Sequence, residues 1–220
     1  MFRKDSHNIY RAGALERLDW LDHGFGTRLS DGWAPAAPAW VRQVHSARVI
    51  EATAAGCLGE ADALVTATPG LYVSIRTADC VPILIADERR RAVAAVHAGW
   101  RGTADAIVVE ALKEMGRLYK SRPKDLLAAI GPAVCGSCYE VGPEVAARFT
   151  RWFPERRDLD GRARLDLVEA NRRQLVEAGL DPARISTGAP CTACNPGEFY
   201  SWRRDREQAG RMVAAIAVRP

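Results

Sequence analysis

The nine residues AAVHAGWRG, at positions 94–102, place a histidine at the end of a short apolar run and a turn directly after it. An apolar run of this length is typical of a buried strand. The two glycines permit a sharp turn and a close approach of the backbone to its neighbours. From Thr103, which has the chemistry of an N-cap, apolar residues recur at helical spacing as far as position 119. The stretch therefore predicts a strand, a turn beside His97 and a helix over 103–119.

Strand-like runs lie on both sides of this stretch. The runs 71–76, 81–86 and 92–96 are short and apolar, and polar or charged turns separate them, which indicates hairpins. The remaining predicted elements are strands at 41–53, 62–66, 126–130, 185–188 and 212–218 and helices at 142–153 and 166–178. Residues 29–39 contain two prolines and a glycine and predict a loop. Strands and helices are interleaved without strict βαβ repeats, so we expect an α+β (mixed α/β) fold, with a mixed sheet packed by helices, in a single domain over 1–220.

The composition is that of an ordinary globular domain. The chain has 220 residues, 48% of them hydrophobic, with 31 basic and 27 acidic residues and a net charge of +4. The arginines are scattered, so the charge argues only weakly for nucleic acid and would serve a small anionic substrate equally well. No apolar run approaches the roughly 20 residues that span a bilayer, and the first residues lack the apolar core of a signal peptide. We therefore expect a cytoplasmic monomer or small homo-oligomer that binds neither nucleic acid nor membranes.

Three residues that can bind a metal lie at the ends of strand-like runs or inside them: His45, Cys80 and His97. Imidazole and thiolate together suit zinc, and a catalytic zinc site uses three protein ligands and keeps one position open. Cys80 lies 35 residues after His45, and His97 lies 17 residues after Cys80, so only a folded sheet could bring the three together. From spacing alone, two hydrogen-bonded histidines near the core and a small buried cysteine remain the alternative.

Four of the six cysteines form two CxxC pairs, Cys135 with Cys138 and Cys191 with Cys194. Two such pairs are typical of a structural zinc ion held by four thiolates. Because 52 residues lie between the pairs, such a site requires the fold to bring them together. A regulatory disulfide and ordinary packing thiols remain open as alternatives.

These segments resemble, in their order along the chain, the YfiH-type or laccase-domain family. The pieces that match are HGFGTR (23–28), RQVHSARV (42–49), EADALVT (60–66), TADCVPILIAD (77–87), AAVHAGWRGT (94–103), AIGPAVCGSCYEVG (129–142), LDL (165–167) and CTACNPGEFYSWRRD (191–205). Members have been called multicopper polyphenol oxidoreductases and, later, purine nucleoside phosphorylases. Two departures stand out: residues 29–40 replace a longer glycine-rich segment of the family, and Ser46 stands where glycine is common.

The resemblance implies one catalytic zinc ion bound by His45, Cys80 and His97, with copper less favoured. It also implies attack of phosphate on adenosine, inosine, guanosine or methylthioadenosine, which gives the base and ribose 1-phosphate, and deamination of adenosine at the same site. Zinc suits deamination because it lowers the pKa of a bound water towards ~7. The expected partners are therefore purine nucleosides and inorganic phosphate.

The planar guanidinium fork matches phosphate oxygens, so arginines beside the motifs are candidate phosphate ligands. The predicted substrate and phosphate ligands are Arg28, Gln43, Arg101, Arg203 and Arg204. Asp79 and Glu140 are candidate general acids for the leaving purine, although either could instead orient a histidine. The predicted catalytic set is Asp79, Cys80, His97, Arg101 and Glu140.

Three other functions fit parts of the sequence. A copper-dependent polyphenol oxidase of the multicopper kind is one of them, but it needs many histidines, and the four of this chain are too few for a multicopper centre. A non-enzymatic zinc module would use the four paired cysteines to bind metal and the arginines to bind RNA. A metal-free hydrolase would use Cys80 as nucleophile with His97 or His45 as base.

Overall fold

The computed structural model describes residues 1–30 and 37–220, so the predicted loop at 29–39 and the shortened segment at 29–40 lie partly outside the described residues. The strands are β1 (Phe2–Lys4), β2 (Tyr10–Ala12), β3 (Leu21–Phe25), β4 (Ala39–Arg42), β5 (Val49–Glu51), β6 (Gly56–Glu60), β7 (Ala63–Thr66), β8 (Val73–Thr77), β9 (Val81–Asp87), β10 (Ala92–Ala98), β11 (Leu126–Ile130), β12 (Glu140–Val141), β13 (Ala163–Arg164), β14 (Ile185–Ser186) and β15 (Met212–Val218). The α-helices are α1 (Gly13–Glu16), α2 (Trp100–Ala104), α3 (Ile107–Tyr119), α4 (Pro143–Ala146), α5 (Leu167–Glu177) and α6 (Trp202–Asp205).

Two mixed sheets and a two-stranded pair account for the strands of the described residues. A seven-stranded sheet has the order β1-β2-β3-β15-β8-β4-β6, and a six-stranded sheet has the order β14-β11-β9-β10-β7-β5. In the first sheet β4 runs parallel to β6 and β8, and in the second sheet β5 is parallel to β7 and β14 to β11. Strands β12 and β13 form the small pair. The predicted α+β fold with mixed sheets is confirmed.

The six-stranded sheet is the middle of three layers, and its central strands β9 and β10 are buried along their whole length. Because side chains alternate across a strand, each central strand supplies two cores. Ile83 and Val96 pack in the core shared with α3 and α5, whereas Leu84 and Val93 pack against residues of the seven-stranded sheet such as Ile75. This double burial makes the ends of β9 and β10 rigid positions for functional side chains.

Several predicted elements needed correction. The single strand predicted at 41–53 is wrong, because the chain forms β4 and β5 with a turn between them. The helix predicted at 103–119 is divided into α2 and α3 by Ala106, whose φ of 58° lies in the left-handed region, and Thr103 lies inside α2 rather than at an N-cap. The helix predicted at 142–153 is only α4, followed by a 3₁₀ turn. Strands β1 to β3 and β6 were not predicted, since their short, polar or glycine-containing segments carry little apolar alternation.

The predicted boundaries of α5 agree with the structure. The Asp166 carboxylate caps the helix by accepting a hydrogen bond of 2.9 Å from the Glu169 backbone N–H. Gly179, with φ of 98°, follows the last turn and takes the left-handed conformation that glycine adopts without strain. Both ends of α5 are therefore fixed by local chemistry that the sequence reveals.

We expect Asp166→Ala to lower the free energy of unfolding by about 1 kcal/mol, because it removes the side-chain acceptor of the N-cap. Asp166→Asn is the matched control and should keep most of the stability, since asparagine caps nearly as well. Urea unfolding of the three proteins measures the difference. An asparagine variant as unstable as the alanine variant would show that the cap is not the cause.

Candidate active site

Three chain segments bring the predicted metal ligands together. His45 lies in the turn between β4 and β5, Cys80 lies in the turn before β9, and His97 lies near the end of β10. Because β9 and β10 are antiparallel neighbours with His97 paired to Pro82, the Cys80 turn lies beside the His97 end of β10. One nitrogen of each imidazole and the Cys80 Sγ all lie within 4.8 Å of one another. This trio is the arrangement that the sequence predicted.

A buried carboxylate, that of Asp62, contacts the side chain of His97 and the backbone of the turn that carries His45. The His97 Nδ1 lies 2.8 Å from Asp62 Oδ1. The same oxygen accepts a hydrogen bond of 3.0 Å from the backbone N–H of His45, and Oδ2 accepts from the backbone N–H and the hydroxyl of Ser46 at 2.6 and 2.8 Å. Because the carboxylate favours the proton on Nδ1, Nε2 of His97 is left to bind a metal.

Sequence reasoning missed Asp62 and gave its orienting role to Asp79 or Glu140. The only available signal was its place in the EADALVT piece, at the start of a strand. The Asp62 carboxylate also accounts for the broken 41–53 strand, since it satisfies the backbone donors of the turn at His45, whose φ is 59°. Ser46 departs from the glycine of the family and adds a hydroxyl donor to the same carboxylate.

Neighbouring groups shift the pKa values of Cys80 and His97. Burial raises the pKa of the Cys80 thiol, but hydrogen bonds from His45 and His97 outweigh it and lower the pKa to about 6. Burial lowers the pKa of His97, but its hydrogen bonds to Asp62 and Cys80 outweigh that effect and raise the pKa to about 9. The trio thus favours the thiolate, which is the form of cysteine that binds a metal and acts as a nucleophile.

Gly99 is required by the close packing of this trio. A Cβ at this position would lie 2.9 Å from the His45 Cδ2 and 3.1 Å from the Cys80 Sγ. Any larger residue would push these two side chains away from His97. Gly99 therefore allows the three segments that carry the trio to approach one another closely.

The trio opens into a cavity of about 750 Å³, a size typical of small-molecule sites. His45, Cys80 and His97 line it together with four aromatic side chains, Trp40, Trp100, Tyr139 and Trp202. The cavity thus combines an aromatic wall, on which a flat ring could stack, with a group of side chains that have the chemistry of metal ligands.

Only some of the predicted phosphate ligands reach this cavity. Gln43, Arg101 and Arg203 line it. Arg28 and Arg204 are not among the lining residues, because Arg28 donates to the Pro196 carbonyl at 2.9 Å and Arg204 donates to carbonyls of the 192–199 loop and to Asp205. Three arginines that the sequence did not single out also line the cavity: Arg76, Arg206 and Arg211.

The two predicted general acids lie in different surroundings. Asp79 lines the cavity and is buried, and its carboxylate accepts hydrogen bonds from Thr192 Oγ1 at 2.6 Å, Ser201 Oγ at 3.0 Å and the Arg203 backbone N–H at 2.5 Å. Glu140 is exposed and does not line the cavity, and its carboxylate pairs with Arg162 at 3.1 Å. Its backbone carbonyl accepts from Arg203 Nη2 at 2.7 Å. Both residues therefore hold Arg203 in place.

The fold and the site together define an α+β protein in which two histidines and one cysteine, residue types that ligate metals, lie in a basic, aromatic cavity. A family model described as multi-copper polyphenol oxidoreductase laccase matches residues 28–219, and the chain belongs to this family. The resemblance stated from the motifs is thus confirmed.

Named relatives and solved structures agree with this membership. A purine nucleoside phosphorylase of Deinococcus radiodurans is 43% identical over 192 residues, which cover 85% of this chain and 72% of that protein. Adenosine deaminase RL5, from an unknown prokaryotic organism, is 37% identical over 80% of this chain and 72% of that protein. The crystal structure of YlmD from Geobacillus stearothermophilus matches with a TM-score of 0.88 at 28% identity and covers 100% of this chain and 99% of that chain. The chain is therefore an enzyme of this family.

Two further observations concern membrane-spanning helices and the number of histidines that could bind copper. In the described part of the chain, no helix has the length and apolarity needed to cross a bilayer. Of the four histidines, only His45 and His97 stand together, while His7 is exposed and the His23 Nε2 accepts a hydrogen bond from the Ala12 backbone N–H at 2.9 Å. Two clustered imidazoles are too few for a multicopper centre.

Proposed function

We propose that the chain is a zinc-dependent purine nucleoside phosphorylase that also deaminates adenosine. The observation that carries the proposal is the trio of His45, Cys80 and His97, which lines a cavity together with arginines and aromatic rings. The names of the relatives, purine nucleoside phosphorylase and adenosine deaminase, support the same pair of reactions.

The residues of the trio fit zinc. Two imidazoles and one thiolate are a donor set that zinc accepts, and three protein ligands leave a position open, as catalytic sites require. The Asp62 carboxylate supplies the partner that a metal-binding histidine usually has. A zinc ion bound there would supply Lewis acidity, which polarises an oxygen or lowers the pKa of water.

In phosphorolysis, an oxygen of phosphate forms a bond to C1′ of the ribose while the bond from C1′ to N9 of the purine breaks. The electron pair of that bond goes to the purine, which takes up a proton as it leaves. We assign the binding of phosphate to Arg101 and Arg203, because both line the cavity and both are held by ring contacts. The Arg101 guanidinium lies 4.4 Å from the centre of the Trp100 ring, and the Arg203 guanidinium lies 5.0 Å from that of Tyr139.

For Asp79, the geometry favours positioning over proton donation. Each partner of its carboxylate is a hydrogen-bond donor, so both carboxylate oxygens are engaged as acceptors within the protein. We infer that Asp79 fixes the backbone of Arg203 and, because it precedes Cys80 in the chain, the position of Cys80 as well.

The deamination reaction needs only water as co-substrate: water adds at C6 of adenosine, ammonia leaves, and inosine is formed.

We expect Arg101→Ala to raise the KM for phosphate roughly ten- to hundredfold, because a charged hydrogen bond to an anion contributes about 1.5–3 kcal/mol. Deamination of adenosine should change much less, since it uses no phosphate. Steady-state kinetics of both reactions on one preparation measure the difference. Arg28→Ala is the matched control and should leave both reactions unchanged, since Arg28 donates to Pro196 outside the cavity. Equal losses of the two activities in Arg101→Ala would argue against a phosphate-specific role.

One alternative has a specific observation in its favour. The lowered pKa of Cys80, produced by its two histidine partners, is also what a cysteine nucleophile requires. A hydrolase of that kind needs no metal, so it would keep its activity after complete chelation, whereas the zinc enzyme would lose it.

A further inference from the structure

The two CxxC pairs meet in space and form a group separate from the trio. The four Sγ atoms of Cys135, Cys138, Cys191 and Cys194 all lie within 4.8 Å of one another. No disulfide joins any of them. Three of these cysteines are partly buried and Cys194 is exposed, so the group lies just below the surface. We call this group the four-cysteine cluster.

Backbone contacts, not the thiols alone, hold the two CxxC loops side by side. The chain at Ala133 pairs in parallel with the chain at Cys191, and the Thr192 N–H donates to the Ala133 carbonyl at 3.0 Å. Within the first loop, the Cys138 N–H donates to the Cys135 carbonyl at 3.0 Å. In the second loop, Asn195 Nδ2 donates to the Cys191 carbonyl at 2.7 Å. Contacts within the fold therefore place the four sulfur atoms together.

We propose that the four-cysteine cluster binds a second, structural zinc ion, distinct from the metal at the trio. Two Cys-x-x-Cys loops that supply four thiolates form the closed tetrahedral site that structural zinc prefers. A Zn–S bond of about 2.3 Å places tetrahedral sulfur atoms about 3.8 Å apart. The four Sγ atoms lie within 4.8 Å of one another, and those of Cys138 and Cys194 are 3.3 Å apart. Only small side-chain movements are needed to close the site.

A backbone donor and an arginine lie beside the second loop of the cluster. The Cys135 backbone N–H points at the Cys191 Sγ from 3.2 Å, so this sulfur acts as an acceptor. Arg204 donates from Nη1 to the carbonyls of Thr192 and Ala193, at 3.0 and 3.1 Å, and so places a cation against the second loop. Four thiolates around one zinc ion would carry a net charge of −2, and a backbone N–H such as that of Cys135 would stabilise the charge on the sulfur it faces.

The metal would stabilise one wall of the cavity without taking part in the reaction. Tyr139 follows the first loop directly and lines the cavity under Arg203. Thr192, in the second loop, donates its hydroxyl to Asp79, the neighbour of Cys80. Removing a metal from the cluster should therefore loosen the Arg203 side of the cavity, while the trio keeps its own ligands.

Metal counting on the intact protein separates the two sites. Protein purified without a metal-affinity tag should contain two zinc ions per chain, and His97→Ala should contain one. Cys138→Ser with Cys194→Ser should also contain one, and Cys57→Ser, which changes an exposed cysteine outside the cluster, should keep two. A double-serine variant that binds as much zinc as the wild type would overturn the proposal.

A second measurement does not depend on the folding of the serine variants. In the His97→Ala protein, Co²⁺ in place of zinc should give the strong sulfur-to-cobalt charge-transfer absorption of a four-thiolate site, and its removal by a chelator should lower the melting temperature. A spectrum without thiolate ligands would contradict the proposal. So would an intact mass, measured without reductant, that is lower by two hydrogens for each cysteine pair, since that mass shows disulfides. Because the readout is metal content, failure of the proposed nucleoside chemistry would leave it unaffected.

Discussion

Replacing either Cys80 or His97 with alanine should abolish nucleoside turnover while the fold is retained. Both residues belong to the trio, and neither has an equivalent nearby that could replace it among the described residues. Loss of the Lewis acid removes several kcal/mol of transition-state stabilisation, which corresponds to a fall in kcat of roughly 10³-fold or more. Turnover of adenosine, with and without phosphate, measures the effect, and circular dichroism reports on the fold.

Cys57→Ala is the matched control for the loss of a thiol, because Cys57 is exposed on β6. It should keep full activity and its full zinc content. A Cys80→Ala or His97→Ala enzyme with wild-type turnover would show that the site is misassigned. If the His97→Ala enzyme keeps its activity while the Cys80→Ala enzyme loses it, Cys80 is essential but the trio is not the metal site.

Asp62→Asn should weaken zinc binding at the trio by roughly 10–100-fold, the usual cost of removing the partner of a metal-binding histidine. The carboxylate accepts from His97, from the backbone at His45 and from Ser46. Because every partner is a donor, the asparagine NH₂ group meets a donor whichever way the amide is turned. The ring of His97 and the turn that holds His45 should both lose their fixed positions.

Competition with a chelator of known affinity measures the zinc dissociation constant of the variant. Excess zinc should restore part of its turnover, which a merely unfolded protein would not regain. Asp87→Asn is the matched control: Asp87 is equally buried, but its Oδ1 accepts from the Arg89 and Arg90 backbone N–H groups and its Oδ2 has no partner in the described structure. If Asp62→Asn binds zinc as tightly as the wild type, Asp62 does not orient the ligands.

The parts of the fold that the sequence predicts well are those with strong local signals. The strands at 126–130 and 212–218 match β11 and β15, because both are nearly continuous apolar runs. The strand predicted at 41–53 failed, since Asp62 breaks it at His45 from a position 17 residues further along the chain. A carboxylate that satisfies a distant turn leaves no periodic trace in the sequence.

The same distinction applies to the site. Residue chemistry and the family resemblance predicted the trio, because imidazole and thiolate at strand ends are unusual. The arginines were harder: Arg28 and Arg204 lie within motifs yet donate to backbone carbonyls, whereas Arg76 and Arg211 lie outside the predicted set and line the cavity. A guanidinium on a long flexible side chain has many partners within reach, and only the folded chain decides between them.

Metal content and activity measured on one sample test the central claim most directly. The protein is purified without a metal-affinity tag, zinc and copper per chain are measured, and adenosine is assayed with and without phosphate, before and after chelation and after zinc is added back. We predict zinc rather than copper, adenine formed only when phosphate is present, inosine formed without it, and both activities lost on chelation and restored by zinc. Activity that survives complete removal of zinc, or zinc-loaded protein that turns over no purine nucleoside, would contradict the account.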